Sequence, residues 1–275
     1  MTAVEPTTRL SLYEPPARVP SAARVFLALL SRDVFVTGHE FVSFVVQIVL
    51  QPLFLLLVLG KVLTEVGYTQ GGYAQVLLPG IVAFTAFLTA LQNTALPLVI
   101  DFSYTKEIED RLLAPAPVTL IALEKVVFAT LRALIAGALI FPLGWGVLGS
   151  VSVTWSMVPT VALFVVLGSL VGSAVGLTMG TLTPPAKINV AFAVILTPLL
   201  FTGSTQFPWR ALHSLRWFQV VCACNPLTYF CEGVRGRMQP NTPHLPGWLC
   251  IVALCGFLVL FTTIGMAGFR KRAIA

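Results

Sequence analysis

The amino-acid sequence predicts an all-α integral membrane protein with six transmembrane helices. Hydrophobic residues make up 57% of the 275 positions and charged residues only 10%, whereas a soluble domain carries about 25% charged residues. The apolar stretches are long and uninterrupted, as a helix of roughly 20 residues across a bilayer requires. Outer-membrane barrels show alternating segments of about 10 residues instead, so the sequence favours helices.

The N-terminal region predicts two different elements before the first span. Residues 1–20 are rich in proline and charge and contain no apolar core, so they are expected to form a disordered cytoplasmic tail and not a signal peptide. Residues 21–40 combine apolar residues at helical spacing with Arg24, Arg32 and Asp33. This pattern predicts an amphipathic helix in the membrane interface, with an extension of the first span as the alternative.

The remaining chain, through residue 272, is expected to form a single transmembrane domain. Its six predicted spans cover about residues 41–60, 74–100, 119–148, 156–182, 188–206 and 247–269. Residues 207–240, before the last span, mix apolar pieces with prolines and arginines, and neither half is long enough to cross. We expect a re-entrant hairpin of two short helices here.

Charge asymmetry predicts the orientation of the chain. Eleven lysines and arginines fall on the side of the termini and five on the opposite side, while Arg132 falls within the third span. Because cytoplasmic loops carry an excess of Lys and Arg, both termini are predicted to be cytoplasmic. This asymmetry explains the basic net charge, and no basic run with interleaved aromatic residues indicates nucleic-acid binding. Arg132 is expected to extend toward the cytoplasmic interface, with a substrate site as the alternative.

A short charged segment separates the second and third predicted spans. Five of the six residues 106–111 are charged, and such a segment must lie in water. Its mixed signs suit a protein partner better than anionic lipid, which attracts pure Lys/Arg clusters. We expect a soluble cytoplasmic partner to contact Lys106, Glu107, Glu109, Asp110, Arg111 and Leu112. A solvated loop is the alternative.

Small and polar residues recur at helical spacing in three of the spans. Four glycines of the fourth span predict close packing against other helices: Gly168, Gly172, Gly176 and Gly180. Polar side chains in a span usually face a partner helix or a wet cavity. We expect such residues of the first and fifth spans to border a translocation path: Ser43, Gln47, Gln51, Asn189 and Thr197. Interhelical hydrogen bonding is the alternative.

Sequence motifs for enzymatic chemistry are missing from the chain. It has no G-x-x-x-x-G-K-[ST] phosphate loop, so it is not expected to bind ATP by that route. No HExxH or GxSxG motif occurs, and the three histidines lack the spacing of metal ligands. The five cysteines form no CxxC pair. They are expected to pack as small residues, with a disulfide among Cys222, Cys224 and Cys231 left open.

The order of these elements resembles the membrane subunit of type 2 ABC exporters, which export drugs, polysaccharides and lipids. Two segments carry the resemblance. Residues 109–117 are similar to the family's E-R-L-L-x-x-P stretch after the second span. Residues 207–235 resemble the family's extracellular F-P … N-P-x-x-Y … R hairpin, on Pro208, Asn225, Pro226 and Tyr229.

The resemblance implies a division of labour in a bacterial inner membrane. Two permeases, identical or related, would form the core among membrane lipids. Two cytoplasmic ABC ATPase subunits would carry ATP and Mg²⁺, and this chain would hold no cofactor. Residues 101–113 would form the coupling helix, beside the N-terminal interface helix. Closure of the ATPases would then shift the first and fifth spans and open a path at the dimer seam.

The expected cargo follows from the residues of the predicted path. Polar groups are few there and aliphatic and aromatic residues dominate, which favours a hydrophobic or amphipathic cargo such as a drug, an antibiotic or a lipid. A polysaccharide or glycolipid exporter of the same family is the alternative. A channel or secondary carrier working without ATP is a further alternative. The position of every Asp and Glu near a span end or in a loop argues against it.

Overall fold

A computed structural model describes residues 21–39, 41–68, 72–103, 117–149 and 154–274, and these residues contain helices and no strand. The α-helices are α1 (Ala22–His39), α2 (Phe41–Leu55), α3 (Leu63–Glu65), α4 (Tyr73–Ser103), α5 (Val118–Leu148), α6 (Val158–Leu182), α7 (Ile188–Thr202), α8 (Arg216–Ala223), α9 (Pro226–Met238) and α10 (Gly247–Ile274). A π-helix, Leu56–Val62, joins α2 to α3, and 3₁₀ turns cover Pro185–Lys187 and Trp209–Ser214. The all-α prediction is confirmed.

Within the described part of the chain, six helices are long and apolar enough to cross a membrane. They are Phe41–Glu65, Tyr73–Phe102, Thr119–Leu148, Val158–Leu182, Pro185–Thr202 and Gly247–Ala273. The chain is therefore a multi-pass membrane protein, as predicted. The fifth span ends at Thr202 and not at residue 206, because Ser204 adopts a φ of 52°, which interrupts a right-handed helix.

All five tryptophans lie toward one side of the membrane. With six crossings, the hairpin lies on the face opposite the start of α2 and the end of α10. We call these two faces the hairpin side and the termini side. The tryptophans lie at the hairpin-side ends of spans or in the hairpin itself: Trp145, Trp155, Trp209, Trp217 and Trp248. Four of them are 67–89% exposed. Tryptophans of this kind form the aromatic belt at a membrane surface.

Helices α4 and α6 form the centre of the bundle. In the most apolar part of α4, 78% of the residues are buried, against 17% in the first span and 6% in the fifth. Helix α4 packs mainly on α6, α5 and α9, while α10 packs on α6. The first, fifth and sixth spans therefore present broad apolar faces outward, available to lipid or to another subunit.

The glycine row on α6 lets its backbone approach α4. A Cβ added to Gly172 would lie 2.7 Å from the carbonyl oxygen of Phe87, and one added to Gly180 would lie 2.9 Å from that of Ala95. Gly176 meets the carbonyl of Leu91 in the same way. Gly168, by contrast, faces the hairpin and not α4. Such close approach supplies the van der Waals contact that holds helices together in lipid.

The first span is irregular beyond its midpoint. Pro52 lies inside α2, and the π-helical turns of Leu56–Val62 follow it. Proline offers no N–H to the preceding turn and its ring crowds a carbonyl there, so the regular hydrogen bonding of α2 is interrupted before Pro52. π-helical turns are rare overall, and they often occur at functional positions. Here they begin at Leu56, five residues after Gln51.

Candidate functional site

A polar pocket of about 190 Å³ lies between α2 and α4. Its polar lining residues are Gln47 and Gln51 on α2, with Thr85, Thr89, Gln92 and Asn93 on α4. Gln51 lies near the middle of its 25-residue span, and Thr89 near the middle of its 30-residue span. The pocket therefore concentrates carboxamides and hydroxyls at the depth where a membrane protein holds fewest polar groups.

Helical periodicity brings these side chains together. Gln47 and Gln51 are four residues apart, and so are Thr85 and Thr89, with Gln92 one further turn along. Residues at such spacings share one face of a helix. The two glutamines of α2 are exposed, whereas the polar residues of α4 are buried or half-buried. The pocket thus has a rigid inner wall on α4 and an open outer wall on α2.

Thr85 contributes a hydroxyl with no hydrogen-bond partner among the described residues. The residue is only 4% exposed, and an unsatisfied buried polar group costs about 1–3 kcal/mol. The neighbouring Asn93 is partly satisfied, since its Nδ2 donates to the carbonyl oxygen of Thr89 at 2.8 Å. The pocket wall therefore offers an unused hydrogen-bonding group to whatever enters.

Only some of the residues predicted to line a translocation path lie at the pocket between α2 and α4. Gln47 and Gln51 line the pocket. Ser43 is exposed on α2 outside the lining, and Asn189 and Thr197 are exposed on the fifth span. The first and fifth spans are not among the strongly packed helix pairs of the described residues. Whether these residues share a path stays a prediction.

The wall contributed by α4 was absent from the sequence prediction. Thr85, Thr89 and Gln92 repeat at helical spacing, which is the signal already used for the first and fifth spans. Threonines are common in spans because their hydroxyls bond to the preceding turn, as the hydroxyl of Thr94 does to the carbonyl of Ala90 at 2.9 Å. This ordinary role masks the polar face of α4 in the sequence.

Arg132 contacts the wall of the same pocket. Its guanidinium carbon lies 4.3 Å from the centre of the Phe44 ring and 5.9 Å from that of Phe128. Phe44 is buried and lines the pocket. A cation over an aromatic face is attracted by the ring quadrupole, so Arg132 ties α5 to the first span. It stacks on an aromatic ring beside the pocket, a partner that its sequence position does not indicate.

Three charged side chains form an ionic cluster on the termini side. Lys125 Nζ lies 3.1 Å from Asp33 Oδ2 and 3.4 Å from Asp101 Oδ2. The three side chains are 7–12% exposed. Asp33 belongs to α1, Asp101 to the end of α4 and Lys125 to the start of α5. The cluster, shielded from solvent, therefore joins the N-terminal helix to both spans that flank residues 104–116.

The predicted partner-binding residues lie outside the described residues. They are Lys106, Glu107, Glu109, Asp110, Arg111 and Leu112. The ionic cluster nevertheless lies near them in sequence, because Asp101 precedes Lys106 by five residues. The same cluster contains Asp33, which was noted in the sequence only as part of an amphipathic pattern. Its buried pairing across three elements is not visible in any local motif.

A second buried ionic group lies within the hairpin. Glu232 and Arg235 are fully buried on α9 and form an ion pair one turn apart. Glu232 also accepts hydrogen bonds from the backbone N–H groups of Trp209 at 3.0 Å and Leu245 at 2.9 Å. A buried pair is tolerated when its remaining hydrogen-bonding capacity is satisfied, and the backbone provides that here.

Arg235 extends this network to the transmembrane bundle. It donates from Nη2 to the carbonyl oxygens of Ser204 at 2.7 Å and Thr205 at 3.3 Å, and from Nε to that of Val76 at 3.4 Å. Thr205 in turn presses its carbonyl against Gly80 of α4. The pair therefore ties α9 to the start of α4, to the end of the fifth span and to the segment before α10.

The residues predicted in the hairpin stabilise its local structure. Asn225 caps α9 by accepting from the N–H of Leu227 at 2.9 Å, while its Nδ2 donates to Leu199 O at 3.2 Å and Thr202 Oγ1 at 2.9 Å. Pro226 occupies the first helical position, where proline is favoured. The hydroxyl of Tyr229 donates to the carbonyl of Ala223 at 2.9 Å. Pro208 lies directly before the 3₁₀ turn Trp209–Ser214.

All five cysteines are free thiols in the structure. Cys222, Cys231 and Cys250 are buried, whereas Cys224 and Cys255 are exposed. The disulfide left open among Cys222, Cys224 and Cys231 is therefore absent. Desolvation by burial raises the pKa of the Cys231 thiol to about 12, so this thiol is held in its unreactive protonated form.

The amino-acid sequence is similar to those of known transport proteins. Residues 24–238 match the profile of the family described as ABC-2 type transporter. The chain is also 26% identical over 196 residues to a protein of Cyanophora paradoxa named "Putative transport permease ycf38". That alignment covers 68% of this chain and 65% of the relative. The aligned part of the chain thus spans about two thirds of the relative's length.

Proposed function

The chain belongs to the ABC-2 type transporter family, and we propose that it is the permease subunit of an ATP-driven exporter. A membrane domain of this family is a transport component and not a catalytic one. A separate cytoplasmic ABC ATPase, present in two copies with ATP and Mg²⁺, would supply the energy. The cargo would be hydrophobic or amphipathic, such as a drug, an antibiotic or a lipid, moved from the cytoplasm or the inner leaflet.

The observation that supports coupling to an ATPase is the ionic cluster of Asp33, Asp101 and Lys125. A partner that moves residues 104–116 pulls on the end of α4 and the start of α5. Because Lys125 pairs with carboxylates of both α1 and α4, the three elements would move together. Lys106, Glu107, Glu109, Asp110, Arg111 and Leu112 are proposed to bind the ATPase.

Helix α4 would carry this movement across the membrane. It contains Asp101 at one end, the inner wall of the polar pocket in the middle, and Val76 near the other end, where Arg235 binds. The helix is also the most buried of the six spans. Displacement on the termini side is therefore expected to alter the pocket and the hairpin together.

A second permease copy, or a related permease, is proposed to complete the path. The first and fifth spans are largely unburied within one chain, and Gln47, Gln51, Asn189 and Thr197 are exposed on them. Carboxamides facing hydrocarbon lack hydrogen-bond partners, so a facing subunit or a wet seam would satisfy them. In this arrangement both termini are cytoplasmic, in the inner membrane of a bacterium.

The proposal is tested by co-expressing the full chain with the genes that neighbour its own and identifying any ATPase that co-purifies. Purification of a stable complex with ATPase activity is expected, and the double variant Glu109→Ala/Arg111→Ala should lose both the ATPase and export. The matched control is Lys61→Ala/Glu65→Ala, which removes an exposed charge pair on the hairpin side and should change neither. A chain that exports its cargo in vesicles without any ATPase would overturn the proposal in favour of an ATP-independent carrier.

A further inference from the structure

We propose that the pocket between α2 and α4 binds the uncharged, hydroxyl-rich headgroup of the transported amphiphile, such as a single sugar or polyol. The inference rests on the proposed function and specifies its substrate class. Its starting point is the Thr85 hydroxyl, which is buried and has no hydrogen-bond partner in the described part of the chain. Thr85 lines the pocket together with four residues that carry carboxamides.

The chemistry of the lining selects for neutral hydrogen-bonding groups. Carboxamides and hydroxyls both donate and accept hydrogen bonds, as the hydroxyls of a sugar do. Among the residues that the structure describes, the pocket lining includes no Asp, Glu, Lys, Arg or His. A phosphate or sulfate would be desolvated there without a lining cation, and an ammonium without a lining carboxylate, at substantial cost. Arg132 stacks on the lining residue Phe44 but does not itself line the pocket.

The size of the pocket limits the headgroup. A volume of about 190 Å³ corresponds to roughly six water molecules at ~30 Å³ each. This space accommodates one compact headgroup and not an extended glycan chain. The pocket therefore favours a small glycosyl or polyol amphiphile within the family's range of cargoes, over a polysaccharide.

The outer face of α2 offers a surface for the apolar tail. Leu50 and Phe54 are 54% and 58% exposed, and each lies three residues beyond a pocket glutamine, Gln47 or Gln51. Three residues correspond to a rotation of about 60° back around a helix. An apolar strip thus runs beside the carboxamide strip on the same helix. A headgroup bound in the pocket would place the apolar tail of the amphiphile along this strip.

Photolabelling of the full chain in lipid nanodiscs tests the inference. Three probes would share one dodecyl chain with a diazirine and differ only in the head: glucoside, sulfate or trimethylammonium. The glucoside is expected to label peptides of α2 and α4 several-fold more than the other two. Gln51→Leu and Gln92→Leu should each reduce glucoside labelling about fivefold, as the loss of a hydrogen bond worth ~1 kcal/mol implies.

Two further variants keep the test independent of folding. Gln75→Leu makes the same change on α4 outside the pocket and should leave labelling unchanged. Gln51→Glu retains the size of the side chain and should shift the preference from glucoside toward trimethylammonium. Labelling is measured without ATP or an ATPase. A chain that recruits no ATPase but still labels selectively with the glucoside would therefore contradict the proposed function and leave this inference standing.

Three results would overturn the inference. One is equal labelling by all three heads. Another is sulfate labelling that exceeds glucoside labelling and disappears in Arg132→Gln, since this would make Arg132 the headgroup partner. The third is glucoside labelling confined to the apolar groove between α5 and α6, which Phe141 and Trp145 line.

Discussion

The ring of Phe230 on α9 lies against the backbone of Gly168 on α6, in the space that a Cβ at Gly168 would occupy. The contact is reciprocated, because the ring of Phe164 on α6 lies against Gly233 on α9 in the same way. Both phenylalanines are completely buried. Each helix thus inserts an aromatic ring into a glycine gap of the other, and the hairpin is packed into the bundle core.

Replacing Gly168 with leucine is expected to disrupt this contact. The added side chain would overlap the Phe230 ring, and overpacking of this kind costs typically about 1–3 kcal/mol. The measurement is the midpoint of thermal unfolding in detergent, followed by size-exclusion chromatography. Gly256→Ala is the control, because a Cβ there meets nothing within 4 Å. An unchanged midpoint for Gly168→Leu would contradict the packing.

Replacing Lys125 with methionine is expected to uncouple and destabilise the protein. It removes the cation that Asp33 and Asp101 share, and breaking a buried ion pair costs on the order of 3 kcal/mol. The triple variant Asp33→Asn/Lys125→Met/Asp101→Asn should recover much of the thermal stability, yet coupling of ATP hydrolysis to export should stay impaired. Full export by the triple variant would show that the cluster serves folding alone.

Glu232 and Arg235 are expected to depend on each other energetically. Glu232→Gln leaves a buried guanidinium without its carboxylate, and Arg235→Met leaves a buried carboxylate without its cation, so each single change should be strongly destabilising. The double variant should cost less than the sum of the two. A double-mutant cycle on unfolding should return a coupling energy of about 0.5–3 kcal/mol. Additive effects would mean that the backbone bonds alone hold each side chain.

Cys224 is expected to be the thiol that reacts with a membrane-impermeant maleimide. It is exposed on the hairpin side, whereas Cys222 and Cys231 are buried and burial raises the pKa of both. With the proposed orientation, intact cells should be labelled from outside and Cys224→Ala should remove the signal. The other exposed cysteine, Cys255, lies within the apolar sixth span and is shielded by lipid. Labelling only after cell rupture would reverse the orientation.

Periodicity and composition were sufficient to predict the spans. Long apolar runs must become helices in lipid, where every backbone group has to be satisfied internally, so the six spans could be located to within a few residues. The glycine row on the fourth span was equally readable as a close-packing face. The end of the fifth span could not be predicted in this way. It depends on the buried turn at Ser204, whose carbonyl accepts a hydrogen bond from Arg235, 31 residues away in the sequence.

The candidate site was only half predictable. Gln47 and Gln51 stand out as carboxamides in an apolar span, but their opposing wall on α4 is formed by threonines that look like ordinary helix residues. Phe44 and Arg132 likewise carry no local signal for their contact. Pairings of this kind depend on the relative rotation of two packed helices, which short-range spacing does not specify.

By itself, the sequence determined the membrane class and the number of apolar helices long enough to span, because hydrophobic length and helical period act locally along the chain. The tertiary structure decided which polar groups meet. Asp33 reaches Lys125 across 92 residues and Arg235 reaches Val76 across 159, and such contacts exist only once the helices have packed. The physical reason is that burial and charge pairing are properties of neighbours in space, whereas helix formation in lipid is a property of neighbours in sequence.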